Sequence, residues 1–228
     1  MQKMYPIKKV FTGKVKSQFG MMTAMGKQPI EGEIFLSALG LQGDECASDK
    51  HHGGVERALH QYPSEHYDFW RTKFGDMADW RPAGMGENIS TEGMTEDDVC
   101  IGDKYQWGKA VIQVSQPRSP CYKLNKRWNV ETFSEVMQET AKCGWLYRVI
   151  TPGFVSAAEP LILIERAENA LTIKQTCDYY FGDPLNPEGL RLIAAQEGLS
   201  ASWTRTVNKR METQQVEDWT PRLKGIFA

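Results

Sequence analysis

The chain has 228 residues, of which 41% are hydrophobic and 25% are charged, and its formal net charge is −2. This length accommodates one large domain, or a medium domain with a small appendage. The low net charge gives no reason to expect strong non-specific attraction to nucleic acid or to anionic lipid. No segment has the apolar length of a signal peptide or a membrane span, so we expect a cytoplasmic protein with reduced thiols.

The first part of the chain, residues 1–166, has the pattern of short strands separated by glycine-rich loops. The alternation predicts strands at residues 9–16, 29–39 and 160–165, and a hairpin over residues 102–114 that turns at Gly108. Two amphipathic helices interrupt the strands, at residues 63–74 with Ser64 as N-cap and at residues 129–140. This combination favours a barrel or a sandwich over alternating βαβ units.

From residue 167 the pattern becomes helical, so we place the domain boundary at residues 166–168 and expect a second domain over residues 167–228. Three short helices are predicted, at residues 172–181, 188–197 and 202–212, the last capped by Ser202. A segment of about sixty residues is near the lower limit of independent stability. We therefore expect it to pack against the first domain or a second subunit.

Of the five cysteines, Cys121 has the most suggestive setting. Pro117 and Pro120 stiffen the loop that precedes it, and this loop follows a predicted strand. Arg118 and Lys123 bracket the thiol with positive charge, which favours thiolate over thiol. A thiolate is a nucleophile or a ligand for a soft metal, whereas the alternative is a cysteine packed as a small hydrophobic residue.

A second segment, residues 50–59, places His52 and Arg57 on either side of Gly53 and Gly54. Paired glycines allow close approach of the backbone to a ligand, and an arginine fork suits phosphate or carboxylate oxygens. A simple turn with a surface arginine is the alternative.

A third segment, residues 84–90, carries Glu87 and Asn88 directly after two glycines. Both side chains could anchor a polar ligand, although turn chemistry explains them equally well. Together the three segments suit a site that holds an anionic organic group while one sulfur binds a soft partner. A cysteine–histidine hydrolase, with His52 as base, is the weaker reading.

These segments, in this order, resemble the MOSC family and in particular its YiiM-like bacterial branch. The matching lines are residues 41–44, 52–59, 86–89, 102–103 and 115–121; residues 144–148 and 202–206 are similar to that branch. The resemblance implies a closed β-barrel related to the small barrel of pyruvate kinase, followed by a three-helix domain.

The resemblance also implies a function. Cys121 would be the protein's ligand to molybdenum, and the pterin dithiolene of the molybdenum cofactor would supply the other sulfurs. Family members of this kind reduce N-hydroxylated small molecules with electrons from a separate reductase. The chain itself has no cysteine cluster for iron–sulfur and no Gly-x-Gly-x-x-Gly loop, so it must obtain electrons from a partner.

Particular roles follow for the residues of the three segments. Cys121 and His52 are the catalytic candidates, and the cofactor-binding candidates are Gly53, Gly54, Arg57, Glu87, Asn88, Arg118 and Lys123. Arg57, Arg118 and Lys123 could neutralise the cofactor phosphate, while His52, Glu87 and Asn88 could hydrogen-bond the pterin or position a proton.

Two alternatives remain open. Cys121 could carry a persulfide in a sulfur-transfer protein, without any molybdenum pocket. The pattern of residues 188–210, two predicted helices separated by a turn, resembles a helix-turn-helix, which could bind DNA. We expect dimerisation, or docking of the electron donor, in preference to DNA binding, because acidic residues are mixed into these helices.

Overall fold

The computed structural model describes residues 3–48, 52–76 and 80–226. Its main feature is a nine-stranded sheet, accompanied by one three-stranded and one two-stranded sheet. The strands are β1 (Met4–Tyr5), β2 (Ile7–Thr12), β3 (Lys16–Gln18), β4 (Met21–Thr23), β5 (Gln28–Ile30), β6 (Ile34–Ser37), β7 (Gly40–Leu41), β8 (Leu59–Pro63), β9 (Ile89–Thr91), β10 (Lys104–Trp107), β11 (Ala110–Pro117), β12 (Trp145–Thr151), β13 (Gly153–Val155) and β14 (Leu161–Glu165).

The large sheet runs in the order β1-β14-β10-β11-β12-β8-β9-β2-β5, and its ladders are antiparallel except between β8 and β9. Register shifts within β10–β14, β11–β12 and β2–β9 bend the sheet, so that one face encloses a core that includes Trp107, Tyr105, Tyr147 and Trp145. The mainly β fold with a C-terminal helical domain is confirmed. The predicted closure of the barrel differs, because β1 and β5 remain the edges of the ladder.

Most predicted strands lie where the alternation placed them. The predicted hairpin is β10 and β11, and Gly108 turns it with φ +54°. The predicted strand at residues 29–39 is two strands, β5 and β6, because Gly32 takes φ +76° between them. The strand predicted at residues 9–16 ends at Thr12, before Gly13.

Within the described residues, the barrel part includes the helices α1 (His66–Phe74), α2 (Tyr122–Trp128) and α3 (Phe133–Thr140). α1 begins later than predicted, and Ser64 does not cap it, since its N-cap is Glu65. The second predicted helix begins later too, as α3. The stiff loop that carries Cys121 passes directly into α2, which the sequence did not reveal.

The C-terminal part contains α4 (Ile173–Cys177), a π-helical turn over Asp178–Gly182, α5 (Pro187–Ala194), α6 (Ala201–Thr213) and a further short helix, α7 (Thr220–Lys224). The N-cap of α6 is Ser200, which accepts a bond from the Trp203 amide, so the predicted Ser202 cap is wrong. The helices pack on the barrel as expected. Glu56 accepts bonds from the amide of Ala201 and from Arg148, at 3.0 and 3.2 Å.

Candidate functional site

A cavity of about 880 Å³ opens between the barrel and the C-terminal helices. This volume is within the range of sites that hold small molecules and cofactors. Of the residues predicted for the site, those that line the cavity are His52, Gly53, Gly54, Arg57, Asn88, Arg118, Cys121 and Lys123. Three segments far apart in the sequence therefore meet at one place, as the combined prediction requires. Lys50 and His51, which precede the glycine pair, lie outside the described residues.

Cys121 is the N-cap residue of α2 and is 8% exposed. Its backbone is extended, with φ −139° and ψ 162°, and its carbonyl accepts the Leu124 amide at 2.9 Å. The Cys121 sulfur makes no capping hydrogen bond to the backbone amides at the start of α2. The backbone of Cys121 is thus fixed at the start of α2, and the residue lines the cavity.

Arg118 lies three residues earlier and also lines the cavity. Its amide donates to the Gly144 carbonyl at 3.1 Å, which holds the loop against β12. Its Nη1 is buried without a hydrogen-bond partner among the described residues. A buried guanidinium nitrogen without a partner is costly, and an anionic ligand would satisfy it.

Arg57 follows a turn in which its amide donates to the Gly54 carbonyl at 2.9 Å. Gly54 has φ +94°, so it supplies the left-handed backbone that the turn needs. The Arg57 guanidinium donates to Gln116 at 3.3 Å and to Ser202 at 2.9 Å. His52 is exposed at the same end of the cavity.

Asn88 lines the cavity, but its amide is already engaged. Nδ2 donates to Phe11 O at 3.2 Å and to Asp44 Oδ2 at 2.7 Å, and Oδ1 accepts the His60 amide at 3.1 Å. Asp44 in turn pairs closely with Lys27, whose side chain is almost fully buried. The hydrogen bonds of Asn88 therefore hold Asp44 in place in the cavity wall.

Glu87 is the one predicted site residue that does not reach the cavity. Its carboxylate is fully buried and accepts bonds from Tyr67 OH at 2.7 Å, Ala83 N at 2.7 Å and Met85 N at 3.0 Å. Burial raises the pKa of Glu87, and these hydrogen bonds oppose the shift. The assignment of Glu87 to cofactor binding is thus corrected to a structural one, because its oxygens close the turn that precedes it.

Sequence reasoning did not select His60, which also lines the cavity. It is 8% exposed and its Nε2 lies 3.5 Å from the Cys143 carbonyl. Burial, reinforced by Arg118 and Lys27, lowers the pKa of His60 well below its ordinary value. The imidazole is therefore neutral, and a histidine flanked by leucine and glutamine on a buried strand carries no sequence signal of such a position.

The C-terminal helices contribute part of the wall, through Trp203, Pro221 and Arg222. Arg222 is buried enough for desolvation to lower its pKa, while Tyr180 and Cys121 oppose that shift. Arginine nevertheless remains protonated in proteins. Nothing near Arg222 in the sequence marks it as a site residue, since it belongs to α7 and reaches the site only through tertiary packing.

The charges around the cavity are unequal. Among the described residues its cationic lining side chains are Lys27, Arg57, Arg118, Lys123 and Arg222, and its anionic ones are Asp44 and Glu45. Asp44 pairs with Lys27, and Glu45 is bonded at 2.9 Å to Lys14, which lies outside the cavity lining. Among the described lining residues the cationic side chains therefore outnumber the anionic ones, an arrangement that favours an anionic ligand.

Comparison with known proteins identifies the relatives of this chain. The model of the MOSC domain matches residues 48–161, and the model of the YiiM-like 3-alpha helix domain matches residues 171–214. The chain is 44% identical to the protein YiiM of Escherichia coli K12, over 97% of this chain and 99% of that protein. The chain belongs to the MOSC family. The site at Cys121 lies within the matched MOSC domain.

Other relatives agree with this assignment. The crystal structure of Escherichia coli YiiM superposes with a TM-score of 0.83 at 41% identity and covers 97% of this chain and 98% of that one. A fungal protein of Gibberella moniliformis named "Reductase" is 41% identical over 63% of this chain, but only over 26% of its own length. Among the described residues, no helix is long and apolar enough to cross a membrane.

Proposed function

We propose that this MOSC protein binds molybdenum cofactor through Cys121 and reduces N-hydroxylated bases or similar small molecules, with electrons from a separate reductase. One observation carries the proposal: Cys121 lines a cavity of about 880 Å³ whose described lining residues include more cationic than anionic side chains. A thiolate is a suitable donor for a soft, redox-active metal, and cationic side chains suit the phosphate of a pterin cofactor.

The residues present fit such a group. The unpartnered Arg118 Nη1 is an orphaned donor at the site, and Arg57 presents its fork where Gln116 and Ser202 hold it. Lys123 lines the same cavity. These three side chains would bind an anionic tail, while Cys121 Sγ would serve as ligand to the metal.

When bound, the cofactor would supply the two-electron chemistry that removes oxygen from an N–OH group. The chain's own residues would bind the cofactor, orient the substrate and shield both from solvent. The neutral His60 and the buried Asp44–Asn88 pair form a preorganised polar wall. His52, an exposed residue of the cavity lining, would be in reach of solvent.

The fungal relative named "Reductase" supports an oxidoreductase role, because its matching portion is 41% identical to this chain. The electron donor and the homodimer stay predictions. Sulfur transfer through Cys121 is the second reading of the same thiol. It gains some support from Cys46, a half-buried cysteine that lines the same cavity.

DNA binding by the C-terminal helices is disfavoured by the geometry. A recognition helix presents its first residues to base edges. The first residues of α6 instead face the barrel, since Ala201 N donates to Glu56 and Ser202 accepts a bond from Arg57. Arg210, which gave the helix part of its positive charge, is 1% exposed and paired with Glu217.

The proposal is tested by turnover of an N-hydroxylated amidine with cofactor-loaded protein and an artificial electron donor. We expect Cys121→Ser to lose activity by orders of magnitude, while Cys46→Ser, in the same cavity, retains most of it. Full turnover by loaded Cys121→Ser would exclude the sulfur as an essential ligand.

A further inference from the structure

The last helix of the chain contacts both neighbours of Cys121. Arg222 Nη1 donates to the carbonyl oxygen of Pro120 at 2.6 Å. On the other side, Gly225 lies against the ring of Tyr122, so closely that a Cβ at Gly225 would be 2.7 Å from Tyr122 Cδ2. The residues before and after the thiol are thus held by one short segment that lies beyond residues 171–214, which the three-helix family model matches.

Arg222 makes this contact with a fork that has two anchors. While Nη1 bonds to Pro120, Nη2 donates to Gln138 Oε1 on α3 at 2.6 Å. The guanidinium also lies 5.4 Å from the ring centroid of Phe181 and 5.8 Å from that of Trp219. A planar group held on two edges and on its face has little freedom, so its bond to Pro120 is well placed to fix the loop.

The segment that carries Arg222 is itself anchored. The carbonyl of Leu223 accepts bonds from Asn125 Nδ2 at 3.0 Å and from Ser134 Oγ at 2.9 Å, and the Leu223 side chain is 7% exposed. Farther back, the buried Arg210 bonds to Glu217 at 2.6 Å, which secures the approach to α7. The contacts reach α2 and α3, the two helices that follow the thiol loop.

We propose that Arg222 is a positioning residue for Cys121, and that α7 with Gly225 clamps the loop so that the sulfur is held at the cavity wall. Without the fork, the Pro120 carbonyl loses its fixed donor, and the peptide that leads into Cys121 can move. The C-terminal helices then contribute to the site itself and not only to docking. This proposal takes from the proposed function only that Cys121 is the reactive residue.

The test compares Arg222→Met, which removes the fork, with Arg222→Lys, which keeps the charge but cannot bridge both anchors. Lys224→Met is the matched control, since Lys224 is on the same helix and pairs with Glu135 at the surface. Full-length proteins are labelled well below their melting temperature with N-ethylmaleimide or a bulky fluorescein maleimide. Mass spectrometry of the Cys121 peptide gives the labelling rate with each reagent. The ratio of the bulky-reagent rate to the small-reagent rate does not depend on the fraction of thiolate, because both reagents react with the same thiolate.

We expect the bulky-to-small ratio at Cys121 to rise about tenfold in Arg222→Met, the change expected in a local opening equilibrium when one charge-assisted hydrogen bond is lost. The rise should be smaller in Arg222→Lys and absent in Lys224→Met. The buried Cys100, Cys143 and Cys177 report general loosening.

An unchanged ratio in Arg222→Met, or a parallel rise at the three buried cysteines, would overturn the proposal. If Arg222→Met does not fold, an unchanged ratio in Arg222→Lys decides against it. The labelling uses no cofactor. Failure of molybdenum to bind would therefore refute the proposed function while leaving this result intact.

Discussion

Replacing Glu87 should destabilise the protein without touching the chemistry of Cys121. The Glu87→Ala variant leaves Tyr67 OH, Ala83 N and Met85 N without their carboxylate acceptor. Hydrogen bonds to a charged group contribute about 1.5–3 kcal/mol each, and relief of the buried charge offsets part of the loss. We expect a net decrease of about 3–5 kcal/mol in the free energy of unfolding.

For a chain of this size, each kcal/mol shifts the melting temperature by about 2–4 °C. Differential scanning calorimetry should therefore show a decrease of about 6–20 °C for Glu87→Ala. Glu87→Gln retains an oxygen for Tyr67 and Ala83 and should lose less, about 1–3 kcal/mol. In both variants the rate at which Cys121 is labelled in the folded protein should match the wild type.

The pH dependence supplies a second check on Glu87. Because burial raises its folded pKa above the ordinary value of 4.5, the folded state binds the proton more strongly than the unfolded state. The wild type should thus lose stability as the pH rises from the unfolded-state pKa of Glu87 to its higher folded-state pKa. The Glu87→Gln variant has no carboxyl group at this position and should not show this loss. An unchanged melting temperature in Glu87→Ala, together with lost cofactor loading, would refute the structural role and restore the one predicted from sequence.

The remaining predictions concern the cavity wall. Lys27→Met should lower the free energy of unfolding by about 3–5 kcal/mol in urea titrations, because it leaves Asp44 buried without its cation; a loss below about 1 kcal/mol would contradict a tight pair. His60 should show a neutral ring by NMR at about pH 6.5, where a free histidine is half protonated, and its lowered pKa should cost stability as the pH falls below about 6.5. A ring that titrates near 6.5 would show that it is solvated. The ratio of the iodoacetate rate to the iodoacetamide rate should be higher for Cys121 than for free cysteine, because iodoacetate is an anion. Lys123→Met should reduce this ratio about threefold. A ratio equal to that of free cysteine would contradict a net-cationic cavity.

The sequence predicted the segments that line the cavity best where their conformational constraints are local. The proline-flanked loop of Cys121 and the glycine pair before Arg57 carry their constraints within a few residues, and the structure brings them to one cavity. Glu87 was misassigned for a physical reason. A carboxylate after two glycines has the same pattern whether it binds a ligand or the amides of its own turn.

The residues that sequence reasoning missed depend on distant contacts. Lys27 pairs with Asp44, and Arg222 bonds to Pro120, across long stretches of chain. His60 is influenced by the charge of Arg118, which is also distant in the sequence. No periodicity or motif marks such pairs. Similarly, α7 has five residues and depends on packing against α2 for its stability, so propensity alone could not predict it.

The central claim is that Cys121 is the protein's ligand to molybdenum. Its most direct test is metal analysis of the protein produced in cells that make molybdenum cofactor, with Cys121→Ala and Cys46→Ser prepared in parallel. We predict near-stoichiometric molybdenum in the wild type and in Cys46→Ser, and none in Cys121→Ala, with all three folded. Equal molybdenum in Cys121→Ala, or none in the folded wild type, would contradict the claim, and the latter would favour sulfur transfer by the same thiol.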